Sequence, residues 1–405
     1  MKKVLLTAAV IFATCAASAQ TNVVKEAKSA KSDPAKAAEI IEPALSDPTT
    51  ANDPETWKLA GDFQKAIYDD ENMKMYLPGG KADTAKLYNS LAKMFEYYMK
   101  CDEVEKAKVA SGELKKPKLG KKIAKTLVPI RPNLTGAGSD AFNAGNYSAA
   151  LKFFGLYCDA ATASLFEEED LVKNDTLVPL IANYATMAAN SLKDNEAVIK
   201  YANIGKSHKE EGYRALMCLA EIYKSEEAKD SVKWLATIKE GVEKFPAQEY
   251  FVGNLMDNYI QKGKVKEALN EIDAIVANNP SPYFLYVKGV LQYEDKDYEN
   301  ALITLQKIVD MNNGFVAEAY SKMGDCYFFP GQSEEEANSK LAMDDPKYSE
   351  GDAKIKELYS KAQPYYEKAK ELAPDNKALW GQFLLRIYWK LNKTEYEALE
   401  KELGY

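Results

Sequence analysis

The chain has 405 residues with 53 Lys and Arg against 61 Asp and Glu, a formal charge of −8 at pH 7, and one histidine. An acidic balance argues against nucleic acid as a partner, because phosphate contacts need a basic face, and a lone His208 cannot supply a His-rich zinc site or an HExxH pair. With 46% hydrophobic and 11% aromatic residues, the chain can bury a core and does not read as disordered.

Met1–Ala19 carries two lysines, an apolar run from Val4 and the small-residue site Ala17-Ser18-Ala19. That pattern predicts a secretory signal peptide cleaved after Ala19. A rival lipoprotein reading would acylate Cys15, but Phe12-Ala13-Thr14 fit a lipobox poorly. Removing Lys2 and Lys3 leaves 51 basic against 61 acidic residues, so the exported chain is expected at −10. No later stretch is apolar enough for a transmembrane segment.

Residues 20–32 are polar and are expected to form a flexible leader. Asp33-Pro34 and Asp53-Pro54 read as capped helix starts. Irregular helices are expected over 33–130, with Asp69–Asp83 as an insertion in a turn and the lysine-rich Lys115–Lys125 as a solvated connector. The alternative for those lysines is contact with an anionic lipid or glycan.

From Arg131 a regular pattern sets in. Arg131–Ser164 places Gly138, Gly145-Asn146-Tyr147, Ala150 and Phe154 at offsets that recur later. An acidic linker, Phe166–Thr176, is expected as a solvated loop. Val178–Ser207 follows with Ala185, Ala197 and Tyr201, then Tyr213–Pro246 with Leu219, Ala220 and Tyr223. Glu249–Asn279 carries Met256, Gly263, Ala268 and Ile272, and Pro282–Asn313 carries Gly289, Asp297-Tyr298, Ala301 and Leu305. Ala268 and Ala301 stand thirty-three residues apart. Ala317–Phe328 begins another unit whose second helix, Ala353–Ala373, is expected after an insertion, Phe329–Asp352. Ala378–Leu391 and Thr394–Leu403 would cap the array.

Within Pro282–Asn313 the first half is apolar on nearly every side and the second keeps an i, i+3, i+4, i+7 stripe, the signature of an inner and an outer helix. Small residues at fixed offsets let the two approach, and the aromatic or Leu one turn later fills the gap. A helix–turn–helix period of about thirty-four residues with this pattern resembles the tetratricopeptide repeat (TPR). The resemblance covers Arg131–Tyr405 well and Asp33–Ile130 loosely. It implies an all-α fold, a right-handed α-solenoid of about seven repeats, with a concave groove lined by inner helices that holds a protein or peptide partner, and the signal-peptide pattern would place it in the cell envelope.

On the inner helix after Pro282, Tyr283, Tyr286, Val290 and Tyr293 share one stripe, and Tyr250 and Ile260 hold matching offsets one repeat earlier. In proteins with this repeat those offsets face the groove. The alternative is that the tyrosines pack against adjacent repeats. Thr135, Ser139, Ala182 and Thr186 lack the Lys and Asn set of a chaperone-tail clamp. A second functional reading is a surface glycan-binding protein on the same scaffold, though Trp57, Trp234, Trp380 and Trp389 are scattered.

No catalytic, cofactor or metal site is expected, and the chain does not read as an enzyme. It has no G-x-S-x-G elbow and no CxxC, and Cys218 and Cys326 sit among apolar residues as small buried hydrophobes. Asp83-Thr84-Ala85, Asp175-Thr176-Leu177 and Asp230-Ser231-Val232 match the Asp-Ser/Thr-aliphatic acceptor of a bacterial O-glycosylation system. The same residues also read as helix caps.

Overall fold

The computed structural model describes residues 22–312 and 314–404. The expected signal peptide, Met1–Ala19, lies outside the described residues, as do Asn313 and Tyr405. Among the described residues every regular element is helical, so the fold is an all-α solenoid of antiparallel pairs. The chain divides into two compact units, Met1–Trp234 and Leu235–Tyr405.

The first unit opens with α1 (22–29), α2 (Pro34–Ile41) and α3 (Pro48–Ala51), then the long pair α4 (Pro54–Tyr76) and α5 (Thr84–Ala110). Three of these starts are written in the sequence. Asp33, Asp47 and Asp53 each accept a backbone N–H from the first turn, and a proline with no N–H to waste follows each. The expected flexible leader is corrected: 22–29 is helical because Ala27 is fully buried among Ala37, Ile41, Ala60 and Phe63, with Val23 and Val24 alongside.

Asp69–Asp83 is also corrected. It is no inserted loop: α4 runs on to Tyr76, and only 77–83 turns. Glu71 makes this possible. Its side chain is 3% exposed yet fully engaged, accepting from the Asp83 N–H at 2.9 Å and pairing with Lys74 at 3.0 Å and Lys86 at 3.3 Å. A buried carboxylate with three partners is tolerated where an unpaired one would not be.

The lysine-rich connector holds α6 (Gly120–Leu127), whose Ile123, Ala124 and Leu127 are buried. Its entry is fixed by Glu105, which accepts from Lys118 N–H at 2.8 Å and Leu119 N–H at 3.0 Å. Next come α7 (Asn133–Asn143) and α8 (Tyr147–Thr162), the first regular pair. A Cβ on Gly138 would lie 2.5 Å from the Phe154 ring, so glycine is what lets these helices close. The expected solvated linker after α8 is a 3-10 turn with Phe166 1% exposed in the core, then the one-turn α9 (Leu171–Asn174). Buried Arg131 secures it, bonding the Tyr157 carbonyl and the Asp175 carboxylate. The pair α10 (Val178–Leu192) and α11 (Asn195–Gly205), then α12 (Gly212–Lys224), complete the unit, and the chain leaves it within α13 (Ser231–Lys244).

The second unit continues with α14 (Glu249–Gln261) and α15 (Val265–Asn278), α16 (Pro282–Glu294) and α17 (Tyr298–Met311), α18 (Val316–Asn338) and α19 (Pro346–Leu372), and α20 (Gly381–Lys390) and α21 (Tyr396–Leu403). The expected register holds here. Ala268, Ile272, Ala301 and Leu305 are fully buried, and a Cβ on Gly289 would meet Leu305 at 2.7 Å. The expected insertion Phe329–Asp352 does not. α18 continues through Pro330 to Asn338 and α19 starts at Pro346, leaving 339–345 as the turn. Packing outweighs the proline: Phe328 stacks on Tyr359 at 5.2 Å, and Gly331 lies directly under Tyr359.

Candidate interaction surface

The residues expected to line the groove stand on α14 and α16. Tyr250, Ile260, Tyr283, Tyr286, Val290 and Tyr293 are all half-buried. The inner helices α14, α16 and α18 touch in succession, which brings the α16 stripe against residues of both neighbours.

Each tyrosine has a distinct setting. Tyr283 donates its hydroxyl to the Glu249 carbonyl on α14 at 3.4 Å, and its ring lies 5.7 Å from Phe315. Tyr286 stacks on the same Phe315 at 5.7 Å and 24°. Tyr293 sits between Tyr298 at 5.7 Å and Phe329 at 6.3 Å, with the Lys322 ammonium 4.7 Å from its ring centre. Tyr250 packs edge-on against Phe251 at 5.3 Å. The rings of the stripe thus pack against residues of neighbouring helices and turns while each residue keeps part of its surface exposed.

Burial pushes the Tyr283, Tyr286 and Tyr293 phenols above their ordinary value, so all three are neutral hydroxyls at physiological pH. Lys322 is the nearby charge. Burial opposes it, but Asp325 at 2.7 Å more than compensates and holds its ammonium above the ordinary lysine range. Asp325 in turn accepts from the Tyr366 hydroxyl at 2.6 Å. The face thus offers flat amphipathic rings and one fixed cation, groups suited to hydrogen bonding and to stacking on an apolar or aromatic ligand.

Sequence reasoning missed Phe315, Lys322 and Phe329. Phe315 lies in the turn before α18 at φ 52°, outside any periodic stretch, and Phe329 was absorbed into the expected insertion. Lys322 stands on the next inner helix, α18, outside the spacing of the α16 stripe.

Other expected features fall as follows. Thr135, Ser139 and Thr186 spend their hydroxyls on backbone carbonyls of their own segments, and Ala182 is fully buried. Of the four tryptophans Trp380 is fully buried, while Trp389, 52% exposed, lies beneath the Arg386 guanidinium at 4.9 Å. His208 Nδ1 accepts the Glu211 N–H at 3.0 Å, closing a turn. Cys101, Cys158 and Cys326 are buried and free, and burial pushes each thiol up to about 12. Among the described residues no helix is long and apolar enough to cross a membrane.

No family model and no curated protein sequence matches the chain. The chain is similar in structure to TPR proteins. A TPR repeats protein from Bacteroides fragilis shares 16% identity, covers 64% of this chain and 98% of its own, and has a TM-score of 0.33. The C-terminal part of a TPR repeat-containing protein from Cytophaga hutchinsonii shares 15%, covers 66% and 92%, and scores 0.39. A human IFIT1 dimer with PPP-AAAA shares 15%, covers 86% and 73%, and scores 0.36.

Proposed function

We propose that this chain is an exported scaffold that binds a protein or peptide partner on the face of α14, α16 and α18, within the cell envelope. The observation that carries the reading is the half-buried aromatic stripe Tyr283, Tyr286 and Tyr293, extended by Phe315 and Phe329. Rings already held by their neighbours lose little entropy when a partner covers them, and aromatic anchors dominate binding energy at interfaces. Export rests on the Met1–Ala19 pattern. The acidic balance supports a protein partner over nucleic acid.

A photo-crosslinking residue in place of half-buried Val290 tests this in intact cells of the native host, with exposed Lys307 on α17 as the control position. A discrete protein adduct is expected from position 290 and not from 307. Equal adducts from both, or none from 290, would overturn the proposal. Tyr286→Phe with Tyr293→Phe retains the rings and should retain capture; loss of capture would move the reading from stacking to hydroxyl recognition.

A further inference from the structure

Aspartate is followed by Ser or Thr three times in the chain, and an aliphatic residue follows each pair: Asp83-Thr84-Ala85, Asp175-Thr176-Leu177 and Asp230-Ser231-Val232. The structure separates what the two polar residues do. Asp83 and Asp230 cap helix starts, their Oδ1 atoms accepting from Lys86 N–H at 3.0 Å and Lys233 N–H at 2.9 Å, and Asp175 Oδ1 accepts from Leu177 N–H at 2.9 Å in the turn just before α10. The neighbouring hydroxyl does not cap. Thr84, Thr176 and Ser231 are exposed, and none of the three hydroxyls makes a hydrogen bond among the described residues.

Capping by itself does not ask for this tripeptide. The other capping aspartates are followed by Pro34, Pro48, Pro54, Asn195, Tyr298 and Pro346. Nor does packing explain the aliphatic residue, since Leu177 is 51% and Val232 78% exposed and Ala85 is exposed too. An unused hydroxyl and an apolar side chain are thus exposed together, each beside an acid, at these three sites. All three lie in Met1–Trp234, and Leu235–Tyr405 has none.

We infer that Thr84, Ser231 and Thr176 are sites of O-glycosylation, read by an envelope glycosyltransferase as acid–hydroxyl–aliphatic tripeptides. The inference rests on the export reading. In the transfer, the hydroxyl oxygen attacks the anomeric carbon of a glycosyl phosphate donor. The bond from that carbon to the phosphate oxygen breaks with its electron pair on the phosphate, and the hydroxyl proton passes to a base of the transferase. The three acids are not equally open to a reader. Asp83 is exposed and engages only the Lys86 N–H with its side chain, whereas Asp230 also pairs with Lys233 at 3.1 Å. Asp175 is held by Arg131 and by the Tyr157 hydroxyl. Occupancy therefore falls from Thr84 through Ser231 to Thr176.

The test is the intact mass of the full chain purified from the envelope of its native host. A processed chain heavier than its polypeptide by whole glycan increments is expected. Thr84→Val should remove one increment, and adding Thr176→Val and Ser231→Ala should return the polypeptide mass. Asp83→Asn is the discriminating variant, because Asn caps as well as Asp: the melting temperature should hold while the Thr84 increment disappears. An increment that survives the triple substitution, or one that survives Asp83→Asn at full occupancy, overturns the inference. A processed chain of unmodified mass overturns it and leaves export standing; a chain still carrying Met1–Ala19 removes both.

Discussion

The two long hairpins, α4/α5 and α18/α19, have first helices of 23 residues and second helices of 27. Both place a Gly-Asp pair beneath a tyrosine of the partner helix. A Cβ on Gly61 would come within 2.6 Å of Tyr98, and one on Gly324 within 2.8 Å of Tyr366. The tyrosine hydroxyl donates to the following aspartate, at 2.8 Å for Tyr98–Asp62 and 2.6 Å for Tyr366–Asp325. A lysine of the same turn, Lys58 or Lys322, completes each set. What differs is water. The Asp62 side chain is 42% exposed and that of Asp325 only 9%. The extensions differ too: Glu71 ties α4 to its own turn, while Glu335 ties α18 forward to Tyr359 at 3.0 Å and to Arg386 of α20 at 2.9 Å. The same polar device is therefore worth different amounts in the two places, and each extension is held by a carboxylate aimed at a different neighbour.

The largest effect should come from excising an extension. Replacing 69–83 or 329–352 with a short turn removes Glu71, or Gly331, Glu335 and Asn338, and should unfold the hairpin concerned, beyond the roughly 4–5 kcal/mol that marks an exceptional single change. Circular dichroism melts of either deletion in the full chain check this; an unchanged melt would restore the loop reading. Next in size is the tyrosine pair. Tyr366→Phe should cost about 1–3 kcal/mol, because it takes a hydrogen bond from a nearly dry carboxylate, while Tyr98→Phe should cost about 0.5–1.5 kcal/mol because water can replace the donor. Chemical denaturation of both variants orders them.

Much of this architecture was legible. The offsets of Gly138, Ala150 and Phe154, and of Gly289, Ala301 and Leu305, identified which residues meet because close approach has few chemical solutions. The hairpin extensions were not legible for two physical reasons. Asp69-Asp70-Glu71-Asn72 is polar enough to read as loop unless Glu71 is known to have partners, and those partners, Asp83 and Lys86, come from the next helix start. Pro330-Gly331 reads as a breaker unless the stacking of Phe328 on Tyr359 is known. For the candidate face, the stripe Tyr283, Tyr286, Val290 and Tyr293 was legible from spacing. Its bracing by Phe315, Lys322 and Phe329 was not, since that depends on the neighbouring helix.

A smaller effect concerns pH. Hydrogen bonds from the Asp83 N–H and then Lys74 lower the Glu71 carboxyl from 4.5 to about 2. A carboxyl held lower in the folded chain than in the unfolded one adds stability when ionised. That contribution is complete above pH 4.5 and is lost as pH falls towards 2. Glu71→Gln should therefore cost about 1 kcal/mol at pH 7, and its melting curve should converge with that of the parent in acid. Glu335, also lowered because Arg386 and Tyr359 outweigh its burial, should behave alike in α18/α19. Melting temperatures from pH 7 to pH 2 measure both; parallel curves with no convergence would show that Glu71 acts by shape and not charge.

The smallest effect belongs to the exposed ion pairs, and it sharpens the comparison by removing burial from both hairpins. Asp70 pairs with Lys74 at 2.7 Å and Glu334 with Lys354 at 2.8 Å, distances as good as those of the buried sets. Yet Asp70 is 62% and Lys354 60% exposed, so water already solvates the charges and holding two long side chains together costs entropy. Such pairs contribute about 0–1 kcal/mol and are screened by salt over about 10 Å at 0.1 M. Asp70→Asn and Glu334→Gln should each shift the melt by no more than about 4 °C, on the scale of roughly 2–4 °C per kcal/mol for a unit of this size. In high salt that shift should vanish, whereas the Tyr366→Phe difference should persist. Asp70 and Glu71 are adjacent in sequence and share Lys74, so a matched loss from Asp70→Asn and Glu71→Gln would mean that pairing distance, and not exclusion of water, sets the value of these charges.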